Sequence, residues 1–215
     1  MRTAIIEDQL FTREILRKVC TAELGFEVVA EESDGSVAIG QILRTKAELV
    51  LLDLELLGLD GFTVADLVRK AGLRPRILVF SSFLDDYTIY RVERSMVHGF
   101  MDKNFNDAAA LAEAIRAVAQ GEARFSNAFV KARAARHADP MAFDKLLSDR
   151  EIAVLSMIGD LLNDHQIAER LNIADRTAQK HRFNIQAKLG LGSPRALLHY
   201  AQDRGFTQSV VRVSR

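Results

Sequence analysis

The chain of 215 residues is long enough for one large domain or two small ones, and its apolar and charged fractions, 48% and 27%, are those of an ordinary globular protein. Basic and acidic side chains balance at 29 each, but residues 1–120 carry 14 against 19 and residues 148–215 carry 10 against 7. An acidic front and a basic rear predict two modules with different partners.

Cysteine content and the first residues bear on the compartment. Cys20 is the only cysteine, so an internal disulfide is excluded and we expect an intracellular, cytoplasmic protein. Carboxylates at Glu7 and Asp8 come too early for a secretory signal peptide. Asp53 and Glu55 interrupt the most apolar stretch, so we expect no membrane span and no membrane partner.

Short β-prone runs alternate with helical apolar periods five times in the first 120 residues. The alternation is typical of a parallel sheet with helices on both faces, so we expect an α/β, flavodoxin-like (βα)5 domain with a five-stranded sheet in the order 2-1-3-4-5. The predicted strands are 3–6, 26–31, 49–53, 76–81 and 99–101, and the predicted helices are 10–24, 33–44, 62–71, 85–96 and 107–119.

The third predicted strand is the most apolar of the five, and it ends in a carboxylate, Asp53. In the expected order it lies beside the first strand, which runs into Glu7 and Asp8, so these carboxylates should share the carboxyl edge of the sheet. Ser81 and Lys103 end the fourth and fifth strands on the same edge. For Asp53 alone, the alternative is that it caps the segment that follows.

The residue types at this edge suit phosphoryl transfer. Clustered carboxylate oxygens are the ligands that Mg²⁺ prefers, so we expect a magnesium site. The metal and Lys103 would neutralise negative charge while Asp53 attacks phosphorus as the nucleophile. A metal-dependent phosphohydrolase is the rival interpretation; it would need a second Asp two residues after the nucleophile, and Glu55 stands at that position.

Residues 1–121 resemble the receiver domain of bacterial two-component response regulators. The positions that carry the resemblance fall at the strand ends where that family has its functional residues, with spacings of 45, 28 and 22 residues from Asp8 to Lys103. They are the acidic pair Glu7 and Asp8, the phosphoacceptor position Asp53, the switch position Ser81, the lysine Lys103 and the aromatic switch position Phe100.

The resemblance implies a role for each of these residues. Asp53 would accept a phosphoryl group from a sensor histidine kinase or a small phosphodonor, and Ser81 and Lys103 would engage the phosphate. Phe100 has no hydroxyl group, so its switching would be a change of packing. The Mg²⁺ ligands would be Glu7, Asp8, Asp53 and the backbone carbonyl of Glu55.

Residues 122–145 differ in composition from what precedes them. Basic side chains are mixed with small residues, and Asp139-Pro140 interrupts any helix. We interpret this stretch as an interdomain linker that admits a helix over residues 127–136. Its basic residues are interpreted as a solvated charge run.

From residue 146 to residue 215 the pattern is helical and predicts a small all-α domain. Ser148 with Glu151 three residues later is a capping box. Two predicted helices, 163–171 and 175–189, are joined by a tight connection, which indicates a helix-turn-helix motif. A last helix is predicted at 194–204, with Pro194 in its first turn.

The 175–189 helix has two unlike faces. Ala178, Ile185 and Leu189 share one face, and donors, amides and one aromatic ring occupy the other, as in a helix that reads the major groove. An ordinary solvated face is the alternative. Ala174 leaves this helix without a serine or threonine N-cap, and Asp175 is a candidate to replace it. The candidate DNA-binding residues are Arg176, Thr177, Gln179, Lys180, Phe183, Asn184 and Lys188.

Residues 147–206 resemble the LuxR-type DNA-binding domain of the NarL/FixJ response regulators. The matching segments are 147–151, 166–171, Thr177, His181, Ile185 and 188–189. Together the two resemblances imply a regulator, not an enzyme, that binds double-stranded DNA and forms a homodimer when it is phosphorylated by a histidine kinase. A phosphorylation-independent DNA-binding protein with a degenerate receiver is the second alternative.

Overall fold

A computed structural model describes residues 1–103 and 108–207 of the chain. The chain divides into two compact units, one formed by residues 1–84 and 88–132 and the other by residues 85–87 and those from 133 onward. The predicted start of the fifth helix at Asp107 and the predicted domain end at residue 215 lie outside the described residues. Within the described part, no helix is long and apolar enough to cross a membrane.

The first unit is built on a parallel sheet in the order β2-β1-β3-β4-β5-β6. Its strands are β1 (Arg2–Ile6), β2 (Glu27–Glu32), β3 (Leu49–Asp53), β4 (Arg76–Ser81), β5 (Gly99–Asp102) and β6 (Arg124–Phe125). The predicted order of the first five strands is confirmed. The predicted number of five strands was too low by one, because the sheet has six among the described residues. Residues 124–125, which we interpreted as linker, pair with β5 because the Arg124 amide donates to the His98 carbonyl and the Ser126 amide to the Phe100 carbonyl.

Helices connect the strands of the first unit. They are α1 (Leu10–Lys18), α2 (Gly35–Thr45), α3 (Gly61–Lys70), α4 (Asp86–Arg94) and α5 (Ala108–Gln120), followed by α6 (Asn127–Ala138), which runs on into the second unit. The single helix predicted at 10–24 was wrong in its second half. There the Leu24 amide donates to the Val19 carbonyl, five residues back, and forms a π-helical turn, Val19–Glu23.

The hydrophobic core of the first unit lies on both faces of the sheet, because successive side chains of a strand point to opposite faces. Ile6, Val50 and Leu52 belong to the core shared with α2, α3 and α4. Ile5 and Leu49 belong to the core shared with α1 and α5. All five residues of β3 are buried, as the continuous apolar run predicted.

The second unit is helical among its described residues. Besides the end of α6 it contains α7 (Phe143–Leu146), α8 (Asp149–Gly159), α9 (Asp164–Leu171), α10 (Asp175–Leu189) and α11 (Pro194–Asp203). The predicted capping box is confirmed, since the Glu151 amide donates to Ser148 Oγ and the Ser148 amide donates to Glu151 Oε2. Asn163 and Gln166 form a second capping box at the start of α9.

Candidate metal centre and nucleic-acid interface

The carboxylates meet at the carboxyl edge of the sheet because β1 and β3 are neighbours. Ile6 pairs with Leu52 in the register of these strands, so Glu7 and Asp53 follow side by side. Gly61 at the start of α3 packs against the backbone of Asp53 so closely that a Cβ atom there would collide with the Asp53 carbonyl oxygen. This close approach holds the chain tightly where β3 ends.

Lys103 lies between two of the carboxylates. Its Nζ is 2.9 Å from Glu7 Oε1 and 2.7 Å from Asp53 Oδ2, and the side chains of all three residues are buried. The Gln9 amide donates to Glu7 Oε1, and the Glu55 amide donates to Asp53 Oδ1 at 3.1 Å. One cation therefore faces two buried acids, and each acid also accepts a hydrogen bond from a backbone amide.

Burial and a neighbouring carboxylate raise the pKa of both carboxyl groups, with Asp8 beside Glu7 and Glu7 beside Asp53. Burial, together with the neighbouring Glu7 carboxylate, raises the pKa of Asp53 to about 7, although the Lys103 ammonium and the Glu55 amide pull it down. Burial likewise raises the pKa of Glu7 against the opposing effect of Lys103. The pKa of Lys103 is raised by the two acids, which outweigh its own burial. Part of the negative charge in this pocket is thus uncompensated.

The donor set fits a divalent cation. One carboxylate oxygen from each of Glu7, Asp8 and Asp53 lies within 4.8 Å of the others. Glu7 Oε2 is buried and has no hydrogen-bond partner among the described residues, so a ligand atom is available where a cation would need it. Asp8 is exposed, which leaves an open side for water ligands, and Mg²⁺ retains several of these in proteins.

Two further predicted residues lie on the neighbouring strands. Ser81 is buried at the end of β4, its Oγ accepts a hydrogen bond from the Phe83 amide, and its carbonyl accepts one from the Lys103 amide. Phe100 on β5 is fully buried. Its ring centroid is 5.0 Å from that of Phe129 on α6.

The contact of Phe100 was missed in the sequence because Phe129 lies in the stretch interpreted as linker. The ring of Phe129 is fully buried and also stacks on Phe125 of β6, with ring centroids 5.1 Å apart. Two phenylalanines four residues apart in an otherwise basic, small-residue stretch are the signal that part of this stretch is buried, although only Phe129 lies on the helix. The segment after α5 is therefore part of the first unit as far as Ala132.

In the second unit, α9 and α10 form a helix-turn-helix. Asn172 ends α9 in the left-handed conformation, with φ of 51°, and only residues 173–174 separate it from the start of α10. Ala178 and Ile185 are fully buried, and Arg182 Nε donates to Asp164 Oδ1 at 2.7 Å, which ties the two helices together. Asp175 does not replace the missing N-cap: Ala174 is the N-cap residue without a side-chain bond, and the Asp175 carboxylate lies beside His165.

The other face of α10 is exposed along its length, as the helical wheel predicted. Six of the seven candidate DNA-binding residues are exposed, and Asn184 is half-buried. Phe183 is 71% exposed. Lys188 differs from the other two cations of the set, because its Nζ lies 2.7 Å from Glu151 Oε2, so a phosphate group would compete with that carboxylate.

Both units match known protein families. Residues 3–116 match the response regulator receiver domain, and residues 145–201 match the luxR family of bacterial regulatory proteins. The chain belongs to the NarL/FixJ family of two-component response regulators. It therefore combines a receiver with a LuxR-type DNA-binding domain, the arrangement of a transcription regulator controlled by phosphorylation.

Individual relatives agree with this assignment along nearly the whole chain. The nitrate/nitrite response regulator protein NarP of Escherichia coli K12 is 31% identical over 205 residues, 94% of each chain. The transcriptional regulatory protein LiaR of Bacillus subtilis is 28% identical over 94% of this chain and 96% of its own. A further similar structure is that of RcsB from Salmonella enterica serovar Typhimurium, bound to promoter DNA in the presence of a phosphomimetic. It aligns with a TM-score of 0.65 over 94% of this response regulator and 98% of its own chain. Because the two sequences are 22% identical, this similarity supports the fold alone.

Proposed function

We propose that Asp53 is the phosphoacceptor of this response regulator and that its phosphorylation controls dimerisation and DNA binding. The observation that carries the proposal is the pocket itself: a buried aspartate with Lys103 Nζ at 2.7 Å and two further acids beside it. We also assign residues 1–121 to the receiver, 122–145 to a connection whose first part, as far as Ala132, belongs to the first unit, and residues 146–215 to DNA binding.

In the proposed reaction, a carboxylate oxygen of Asp53 forms a bond to phosphorus as the bond from phosphorus to the donor breaks. The donor atom, a histidine nitrogen of a sensor kinase or an oxygen of a small phosphodonor, leaves with the electron pair. The Lys103 ammonium holds the negative charge on the transferred group. Mg²⁺, when bound by the acidic set with the Glu55 carbonyl, supplies further charge neutralisation and orients the group.

The switch then acts through packing. A phosphoryl group adds nearly two negative charges beside Lys103 and Ser81. Movement of Phe100 would disturb the ring of Phe129, which packs against it on α6. The chain continues from the receiver through α6 into the DNA-binding unit. We therefore expect Phe129 to transmit the change in the packing of Phe100 to α6.

The output is binding of double-stranded DNA by a homodimer. Arg176 and Lys180 on α10 supply phosphate or base contacts, and the amide of Gln179 supplies a donor and an acceptor for base edges. We place the protein in the cytoplasm, where the DNA and the kinase phosphodonor are accessible. We assign it no turnover of an external substrate, so it is not an enzyme.

The deciding experiment is incubation of the full chain with acetyl phosphate, followed by intact-mass measurement. We expect a gain of one phosphoryl group that requires a divalent metal, is abolished by Asp53→Asn and persists in Asp66→Asn, an exposed acid on α3. Full labelling of the Asp53→Asn variant would show that another residue is the acceptor.

The two alternatives are separated by measurements on the same proteins. Sustained hydrolysis of a phosphomonoester would favour the phosphohydrolase, since Glu55 stands two residues after Asp53. DNA binding by Asp53→Ala equal to that of the phosphorylated parent would favour a phosphorylation-independent regulator.

A further inference from the structure

Phe183 is an aromatic residue in an unusual place. Its side chain is 71% exposed near the middle of α10, whereas a phenylalanine gains free energy when it leaves water. The helix does not need the ring for its own packing, because Ala178 and Ile185 on the opposite face make its buried contacts. A ring that is mostly exposed among the described residues is available for a ligand.

The neighbours of Phe183 indicate what kind of ligand this is. Gln179 and Lys180 lie one turn before it on the same face, and Arg176 lies two turns before it; all three side chains are exposed. Within the described parts of the chain, no residue pairs with the cations of Arg176 or Lys180. The ring is therefore flanked by two cations and an amide. This surface suits a DNA duplex, with its negatively charged phosphates and polar base edges, better than it suits an apolar protein surface.

We propose that Phe183 determines sequence preference by contacting the C5-methyl group of thymine in the major groove. The inference rests on the proposed DNA binding by α10 and adds the base that the ring selects. Among the four bases, only thymine presents an apolar group at the major-groove edge. A donor or acceptor of adenine, guanine or cytosine placed beneath the ring would lose its water without gaining a hydrogen bond.

The chemistry of the contact makes a sharper prediction, because the ring recognises the methyl group and not the base that carries it. Replacing one thymine by deoxyuridine removes that methyl and leaves the base pair and its hydrogen-bonding groups unchanged. Conversely, 5-methylcytosine offers the same methyl group on a G·C pair, so it should bind better than cytosine at the same position.

The test uses the full chain, with and without acetyl phosphate and Mg²⁺, to select duplexes from a random pool. Each thymine of the enriched site is then replaced singly by deoxyuridine. At one position per half-site we expect the dissociation constant to rise about fourfold, the value of one buried methyl group. In Phe183→Ala, thymine and uracil should bind equally well at that position, and the melting temperature should stay that of the parent.

Leu161→Ala is the matched control, because Leu161 is a comparably exposed apolar residue outside α10. It should keep the full difference between thymine and uracil. If the chain enriches a site in which no thymine can be distinguished from uracil, the inference is wrong while the proposed DNA binding stands. If it enriches no site, the proposed DNA binding fails first. A large fall in melting temperature or loss of dimerisation in Phe183→Ala, with the thymine preference intact, would instead assign the ring to packing.

Discussion

The carboxylate pocket of the first unit and the outer face of α10 both concentrate charge, and they hold it in opposite ways. In the pocket, the Lys103 ammonium is buried within 2.9 Å of two carboxylates. On α10, Arg176 and Lys180 are exposed, and no described residue pairs with either. The acids of the pocket are partly neutralised by a cation of the same chain, whereas the cations of α10 are exposed to solvent.

This difference determines which properties a substitution can change. Charges removed from water have shifted pKa values, and the same shifts make stability depend on pH. Charges that remain in water add little to stability until a partner replaces that water. We therefore expect substitutions in the pocket and its surroundings to alter stability and pH dependence, and substitutions on α10 to alter binding alone.

The largest effect should come from a pair of phenylalanines, one buried and one exposed. Phe129→Ala removes a fully buried ring and should lower the free energy of unfolding by about 3–5 kcal/mol. Phe183→Ala removes an exposed ring and should change it by less than about 0.5 kcal/mol. Urea denaturation followed by circular dichroism measures both, and equal losses would mean that Phe183 is buried in solution.

The next effect concerns Asp53 without a divalent metal. Its pKa rises from 3.8 to about 7 on folding, so the native state keeps the proton on Asp53 up to a higher pH than the unfolded chain does. The contribution of Asp53 to stability is therefore full below pH 4 and is lost as pH rises to about 7. At pH 8, Asp53→Asn should be more stable than the parent by at most about 4 kcal/mol, the equivalent of this shift, because the substitution also removes the ion pair with Lys103.

Thermal unfolding at pH 5 and pH 8 in a chelating buffer would measure this. The gain at pH 8 should shrink at pH 5. The surface variant Asp66→Asn should follow the parent at both values. If the melting temperatures of the parent and Asp53→Asn depended on pH in the same way, the pocket would be solvated. Its charges would then resemble the exposed charges of α10.

Mg²⁺ should stabilise the first unit through the same pocket. At a hundred times its dissociation constant, a ligand that binds only the native state adds about 2.7 kcal/mol. The rise in melting temperature should be lost in Asp8→Asn, since that residue is exposed and its substitution leaves the buried acids in place. An undiminished rise in that variant would remove Asp8 from the ligand set.

The smallest effects belong to the lysines of α10. Lys180→Ala should leave the melting temperature unchanged and reduce the slope of log affinity against log salt by about one unit if Lys180 contacts a phosphate. Lys188→Ala should change the slope less, because its ammonium is already paired with Glu151. Equal changes for the two lysines would mean that the pair with Glu151 opens on DNA.

The sequence alone was enough for the features that depend on local pattern. The apolar run 49–53 predicted a strand buried on both faces, and the alternation of elements predicted the order of five strands and hence which carboxylates would meet. The spacing of Ser148 and Glu151 predicted a helix start, and the wheel of residues 175–189 predicted which side would be buried. Each of these follows from a pattern among neighbouring residues, or from the fold class that such patterns predict.

Only the tertiary structure decided what happens between distant segments. A two-residue strand at Arg124–Phe125 has no period to detect, and it exists because the edge of β5 offers unpaired backbone groups. Phe129 packs on Phe100 because that strand brings α6 to the sheet. Lys188 pairs with Glu151 because α8 and α10 pack together, so a cation that the helical wheel assigned to DNA is shared with a carboxylate from 37 residues earlier in the chain.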